Sequence, residues 1–363
     1  MKSVLIVMAA SLAVFHAQSK PQETIDSLKV YKDVSLDEVV ITATKAGKET
    51  PVAYSDISGQ ELRQRNDGQG IPYLISLSPS VIMTSDAGTG IGYSGFRIRG
   101  TDANRINITI NGVPVNDSES HTVFWANMAD MASSVESIQI QRGAGTSTNG
   151  AAAFGATVAM QTEKPSLQPY GEYSISAGSF GTLKHTVKGG TGLLYDHFAF
   201  DARYSNIRSD GFIDRAFARM GSYYASAAFY ADNTLIKFQA FGNSETTYQA
   251  WNGVPSYLLN TDRTYNPCGE YEENGVKKFY SNQTDNYWQH NYHLMASQRL
   301  GDYWNMNLTL HYTDGNGYYE DYKSNAKYAS YKLPEYIDPE GNTVKKTDLV
   351  RRKWLDNNFY GAV

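Results

Sequence analysis

From Tyr170 onward, apolar and polar residues alternate with a period of two, and no apolar run long enough for a membrane helix interrupts them. That period sends successive side chains to opposite faces of a β-strand. Phe198, Phe200, Ala202 and Tyr204 fall on one face, with His197, Asp201, Arg203 and Ser205 on the other. Trp304, Met306, Leu308, Leu310 and Tyr312 alternate with Asn305, Asn307, Thr309 and His311, and Tyr292, Leu294 and Ala296 with Asn291, His293 and Ser297. A sandwich would alternate too, but its outer faces and edges would meet water and its links would be shorter. Link length separates the two. Strands are expected near 170–178, 181–190, 196–208, 218–230, 234–247, 287–299, 303–313 and from 352. The links at 191–195, 231–233 and 300–302 are short, and those at 209–217, 248–286 and 314–351 are longer. The hairpin at Phe180 is a short link in a long-link position. Short turns on one rim and long loops on the other describe an antiparallel transmembrane β-barrel of the outer membrane, with lipid around it. Composition agrees: 27 Tyr, 14 Phe and 5 Trp make 13% of the chain. A soluble core has little use for so many phenols, whereas a barrel places them at the lipid–water boundary.

The N-terminus reads as an export signal over residues 1–19. Lys2 precedes an apolar run from Val4 to Phe15, well short of the roughly 18 residues of a spanning helix. Ala17-Gln18-Ser19 fits a small-x-small cleavage site; a buried N-terminal helix is the competing reading. The charge balance of 32 basic and 37 acidic residues, −5 in all, argues against a nucleic-acid partner bound on a basic face. A single cysteine, Cys268, excludes a disulfide framework and a thiolate cluster within the chain. No nucleophile–base pair or His–carboxylate metal motif stands out, so neither an enzyme nor a cofactor is expected.

Between signal and barrel lie two further regions. In residues 20–50, the run Asp37-Glu38-Val39-Val40-Ile41-Thr42-Ala43 is β-branched behind two acids. It is either a first edge strand or an extended segment able to add itself to another protein's sheet. Residues 51–165 read as an α+β domain. Ser58 and Glu61 form a capping-box pattern opening a helix, and Ile71–Leu77 suggests another helical turn. Short strands follow at Val81–Thr84, Phe96–Arg99, Ile106–Ile110 and Ser137–Gln141, with Asn111-Gly112 as a strong turn signal. Gly90–Gly95 matches G-x-G-x-x-G, but a strand pattern rather than a helix follows it, which argues against a dinucleotide site.

Several of these residues together resemble the TonB-dependent outer-membrane receptors. Asp37–Ala43 resembles the TonB box, and Phe96–Gly100 with Ile108–Pro114 resembles the central strands of the plug. Val135–Met160 resembles its closing segment, departing from the family pattern at Ala144, Asn149 and Ala156. The resemblance implies a globular plug filling a barrel of about 22 strands, TonB gripping Asp37–Ala43 by strand addition, and a solute bound between plug apex and outer loops. It makes Arg99 and Arg142 candidates for ion pairs with the barrel wall; ordinary strand-end arginines are the competing reading. Gly100 and Gly143 after them, and Asn111 and Gly112, are expected to hold turns. Tyr93, His121, Phe124 and Trp125 are candidate ligand contacts on apical loops. Asp117, Glu119 and His121 also carry metal-ligand chemistry, for which solvated loop residues are the simpler account.

Residues 170–363 hold about eight strands, too few to enclose such a plug, so an N-terminal piece of a longer receptor is expected. The plug and N-terminus would be reached from the periplasm. Import of an iron–siderophore complex is the leading reading; cobalamin, haem or a glycan are other cargoes, and a non-transporting adhesin is the competing class.

Overall fold

The computed structural model describes residues 45–47, 49–144, 154–301 and 303–363. The signal segment and the TonB-box run Asp37, Glu38, Val39, Val40, Ile41, Thr42 and Ala43 lie outside the described residues. So does Asn149 of the closing segment.

The first region is a small mixed domain. β1 (Ala53–Ser58) runs into α1 (Gly59–Arg65), followed by α2 (Ile71–Leu74) and the ladder β2 (Val81–Ser85) with β3 (Ser94–Ile98). Then come β4 (Ile106–Ile110), β5 (Val113–Pro114), β6 (Val135–Arg142) and β7 (Ala156–Thr162). The capping box closes as the sequence pattern requires: Ser58 Oγ accepts from Glu61 N–H at 3.2 Å, and the Glu61 carboxylate from Ser58 N–H at 2.8 Å. The main sheet has the order β1-β6-β7-β4-β5, with β4 and β7 parallel and its other neighbours antiparallel. Its registers stack Ile106, Ile108, Ile110, Ile138, Ile140, Val158 and Met160 on one face. Leu62, Leu74 and Ile98 join that core. The opposite face carries polar side chains, and it is tied to the chain entering the domain: Gln139 Oε1 accepts from Ala46 N–H at 2.7 Å, and its amide donates to Ala46 O at 3.1 Å.

The second region is one antiparallel sheet of eight long strands. These are β8 (Pro169–Gly178), β9 (Thr182–Thr191), β10 (Phe198–Ser209), β11 (Ala218–Ala231), β12 (Thr234–Tyr248), β15 (Thr284–Leu300), β16 (Trp304–Lys327) and β19 (Lys346–Ala362). Two short hairpins decorate the long links: β13 (Glu270–Glu273) with β14 (Val276–Phe279), and β17 (Tyr336–Ile337) with β18 (Thr343–Val344). The large sheet follows chain order, with β8 and β19 at its edges. It is open and curves around the first domain. Tyr224 and Phe241 from its inner face are part of the plug's hydrophobic core. The outer face exposes Phe198, Phe200, Tyr204, Leu294, Met306, Leu308 and Leu310, while Arg203, Ser205, Asn291 and His293 are buried on the inner face.

Two strand boundaries depart from the sequence reading. β16 continues fourteen residues past Thr313 and β19 begins at Lys346, so most of the link expected at 314–351 is a tall two-stranded ribbon. Polar residues there interrupt the apolar alternation because the ribbon runs past the apolar stretch of the sheet's outer face: the 24 residues of β16 reach roughly 80 Å, against the apolar band of about 25 Å expected of a transmembrane barrel. The ladder persists there through backbone pairing and through ion pairs such as Arg352 with Glu320.

An outer face packed by lipid predicts that Leu308→Arg costs about 2–4 kcal/mol in refolding into bilayers, read from the denaturant midpoint, while Leu308→Met stays near wild type.

Candidate ligand site and plug seat

Between the loop after β5 and the inner faces of β15, β16 and β19 lies a cavity of ≈ 160 Å³. It is near the long-loop end of the sheet. The loop is built by side chains that replace missing backbone partners. Asn116 Oδ1 accepts from Ile108 N–H at 2.7 Å, and its amide donates to Ile106 O and His121 O. Asp117 Oδ1 accepts from the N–H groups of Glu119 and Ser120 and from the Ser120 hydroxyl. The Asp117 carboxylate is thus committed to its own turn, and among the described residues no three His, Cys, Asp or Glu side chains gather to hold a metal.

The four candidate contacts separate in space. Phe124 is 46% exposed and lines the cavity. Tyr93 lines it too, with its hydroxyl donating to Asp285 and its ring edge-on to Trp251 at 6.0 Å. Burial, with the nearby Glu245 and Asp285 carboxylates, pushes the Tyr93 phenol well above its ordinary value, so it stays a donor. His121 is exposed at the turn, with φ 57°, and is not among the lining residues. Trp125 needs correction as a ligand contact. It is 4% exposed and packs on Phe96 at 5.7 Å, because the short helical turn Trp125–Met128 lays its apolar side on the plug core. Sequence reasoning missed Tyr287 and Gln289 of β15 and Asn357 and Phe359 of β19, which complete the wall. All four lie within strands already expected from the sequence, so their inward alternation was a usable signal.

Charge contacts between plug and sheet take a different form from the one expected. Arg142 is 8% exposed and stays within the plug, its Nε donating to Pro79 O at 2.9 Å and its Nη2 to Ser55 Oγ at 2.7 Å. Arg99, exposed and at φ 52°, donates weakly to Arg142 O at 3.5 Å. Gly100 and Gly143 follow them at φ 75° and 104°. Among the described residues, neither guanidinium meets a carboxylate of the sheet. The buried ion cluster instead has the opposite polarity and centres on a plug carboxylate, Asp130, which is 1% exposed. Its Oδ1 accepts from Lys184 of β9 at 2.7 Å, and from Asn66 and Ser133 of the plug. Its Oδ2 accepts from Arg203 of β10 at 2.9 Å and from Ser205 at 2.5 Å. Burial alone would push this carboxyl up; Arg203 and Lys184 outweigh it and hold Asp130 well below the usual carboxylate range. Asn111 supplies a neutral anchor: in the left-handed turn with Gly112, its amide donates to Gln239 Oε1 of β12 at 2.8 Å and to Thr162 Oγ1 at 2.9 Å.

Residues 46–157 match the family model of the TonB-dependent receptor plug domain. The chain as a whole has the fold of the plug and part of the barrel of TonB-dependent receptors. Solved receptors share this fold at low identity. The ferric-catecholate import receptor Fiu from E. coli K12, in its open form, aligns at TM-score 0.61 and 14% identity over 86% of this chain and 45% of its own. FpvA of P. aeruginosa bound to heterologous pyoverdine and iron aligns at 0.59 and 14%, over 87% and 38%. The ferric yersiniabactin uptake receptor FyuA from Yersinia pestis aligns at 0.55 and 15%, over 74% and 42%. The chain therefore spans less than half the length of each. These are receptors and import proteins, not enzymes. No curated protein matches the sequence.

Asp130→Asn leaves Lys184 and Arg203 buried without a counter-charge and is expected to cost about 3–5 kcal/mol, read as a lower denaturant midpoint for plug unfolding. The native carboxyl is depressed, so its contribution is present above the unfolded value of about 3.9 and is lost as pH falls through the native one. The stability gap between wild type and Asp130→Asn should therefore hold from pH 8 to about 4 and narrow only at lower pH.

Proposed function

We propose that this chain supplies the plug and first barrel strands of an energy-coupled outer-membrane importer for an iron–siderophore complex. The observation that carries this reading is a plug seated by buried ion pairs on the inner face of a barrel sheet, beneath a cavity at the long-loop end. In this reading the long loops face the cell exterior, and the short turns and N-terminus face the periplasm. The solute enters between the loops and docks against Phe124, Tyr93 and the amides of β15 and β19. TonB pairs with Asp37–Ala43 by backbone strand addition and pulls, displacing plug structure so that the solute passes. The β-branched run suits that grip, because an extended backbone ladder depends little on side-chain identity. Iron complexes are favoured as cargo by the ferric chelates named for FpvA, Fiu and FyuA.

The test is uptake of ferric chelates, supplied one at a time, by iron-starved cells carrying the full-length receptor or its variants. Removal of 37–43 should abolish uptake while leaving surface binding within about twofold of wild type; unchanged uptake would sink the energised reading and favour a surface-binding barrel. Phe124→Ala should weaken binding about five- to thirtyfold, as loss of one aromatic anchor does, without altering barrel assembly.

A further inference from the structure

Beside the cavity, where the plug meets β12 and β15, several buried oxygen atoms have no hydrogen-bond partner among the described residues. Glu245 is 4% exposed, and neither of its carboxylate oxygens is bonded. Asp285, equally buried, accepts from Tyr93 through Oδ2 and leaves Oδ1 unbonded. Thr247 is 3% exposed, with its hydroxyl unbonded. The three share one face of adjacent strands: the antiparallel register sets Thr247 opposite Asp285, and Glu245 two residues before Thr247. Side chains so related, directly or diagonally, come within reach of one another. From the plug, Tyr93 faces both acids, and Gly92 brings the backbone against Thr247, whose methyl would lie 3.7 Å from a Cβ built there.

Two carboxyl groups buried side by side are tolerated only if a cation or protons neutralise them. None of the ion pairs among the described residues involves either one; the lysines and arginines of the seam are engaged with Asp130 and Glu163, and those of the ribbon with Glu320 and Asp321. The donor set is all oxygen: two carboxylates, one of them free to bind through both atoms, a hydroxyl, and a neighbouring phenol. Such a set suits a hard cation, and its irregular arrangement suits calcium, which tolerates variable coordination, better than the strict octahedron of magnesium. We propose that Glu245, Asp285 and Thr247 bind one calcium ion at the seam between plug and barrel, with Tyr93 closing the site from the plug side. The ion would tie β12 and β15 to the apical loop that carries Tyr93, stiffening one wall of the ligand cavity.

The proposal is tested by equilibrium dialysis of radioactive calcium against the full-length receptor, purified in detergent, depleted of lipopolysaccharide and stripped with chelator. Wild type should bind about one calcium more than Glu245→Gln or Asp285→Asn, with at least tenfold weaker affinity in Thr247→Val, and magnesium in excess should compete poorly. Heat-modified gel mobility reports whether each variant has a folded barrel; the hydroxyl deletion, which keeps both charges, serves where a carboxylate variant does not fold. Equal calcium binding by wild type and all folded variants would overturn the proposal. So would the absence of calcium uptake by wild type, the result expected if the two carboxyl groups are instead neutralised by protons.

Discussion

The arrangement of this molecule depends on one buried carboxylate. Asp130 leaves the plug at a left-handed backbone position and is met by cations from two neighbouring barrel strands, Lys184 and Arg203, in a site closed to water. Ion pairs on a surface contribute little; at this depth each member is costly unless all are present. The seat is therefore all-or-none. It specifies which plug surface faces β9 and β10, and from that follow the positions of the Asn111 contact to β12 and of the Tyr93 contact to β15.

The polarity of the seat has a physical consequence. A plug arginine pressed to a barrel carboxylate would place the flexible, many-rotamer group on the plug. Here the short, stiff carboxylate belongs to the plug, and the long cationic side chains belong to the wall, where Arg203 is held by Ser205 and Ser222 of the sheet before it meets Ser134 and Asp130 of the plug. Arg203 of the wall is thus partly pre-ordered by Ser205 and Ser222 for the charge it receives, so docking the plug in folding orders fewer rotamers. Arg142, with burial and the charge of Arg99 lowering its ordinary value, instead braces β1 and the turn before β2 within the plug.

Much of the fold was legible in the residues alone. The alternation after Tyr170, the Ser58–Glu61 cap and the Asn111-Gly112 turn each encode a local periodicity or a local backbone conformation, and these need no distant partner. Among the long strands the largest misreading was the ribbon of Asp314–Lys327 with the start of β19, where Gly315 and Gly317 and a polar run remove the apolar face and the ladder depends on pairing across the ribbon; the short β1 and β7 of the first domain were not read as strands either. The site was less legible. Tyr93 and Phe124 line the cavity, but Trp125, one residue from Phe124, turns inward onto Phe96 because a short helical turn rotates successive side chains apart.

Local pattern therefore determined by itself that this chain makes a small α+β domain followed by amphipathic strands with unequal rims. Only the tertiary structure decided which charges meet across the seam. Asp130, Lys184 and Arg203 are separated by more than fifty residues in sequence between the plug and wall, and nothing near any of them marks the partnership. Periodicity reports which face a side chain occupies; what that face touches depends on how two separately folded surfaces dock, and that information is held in no single stretch of the chain.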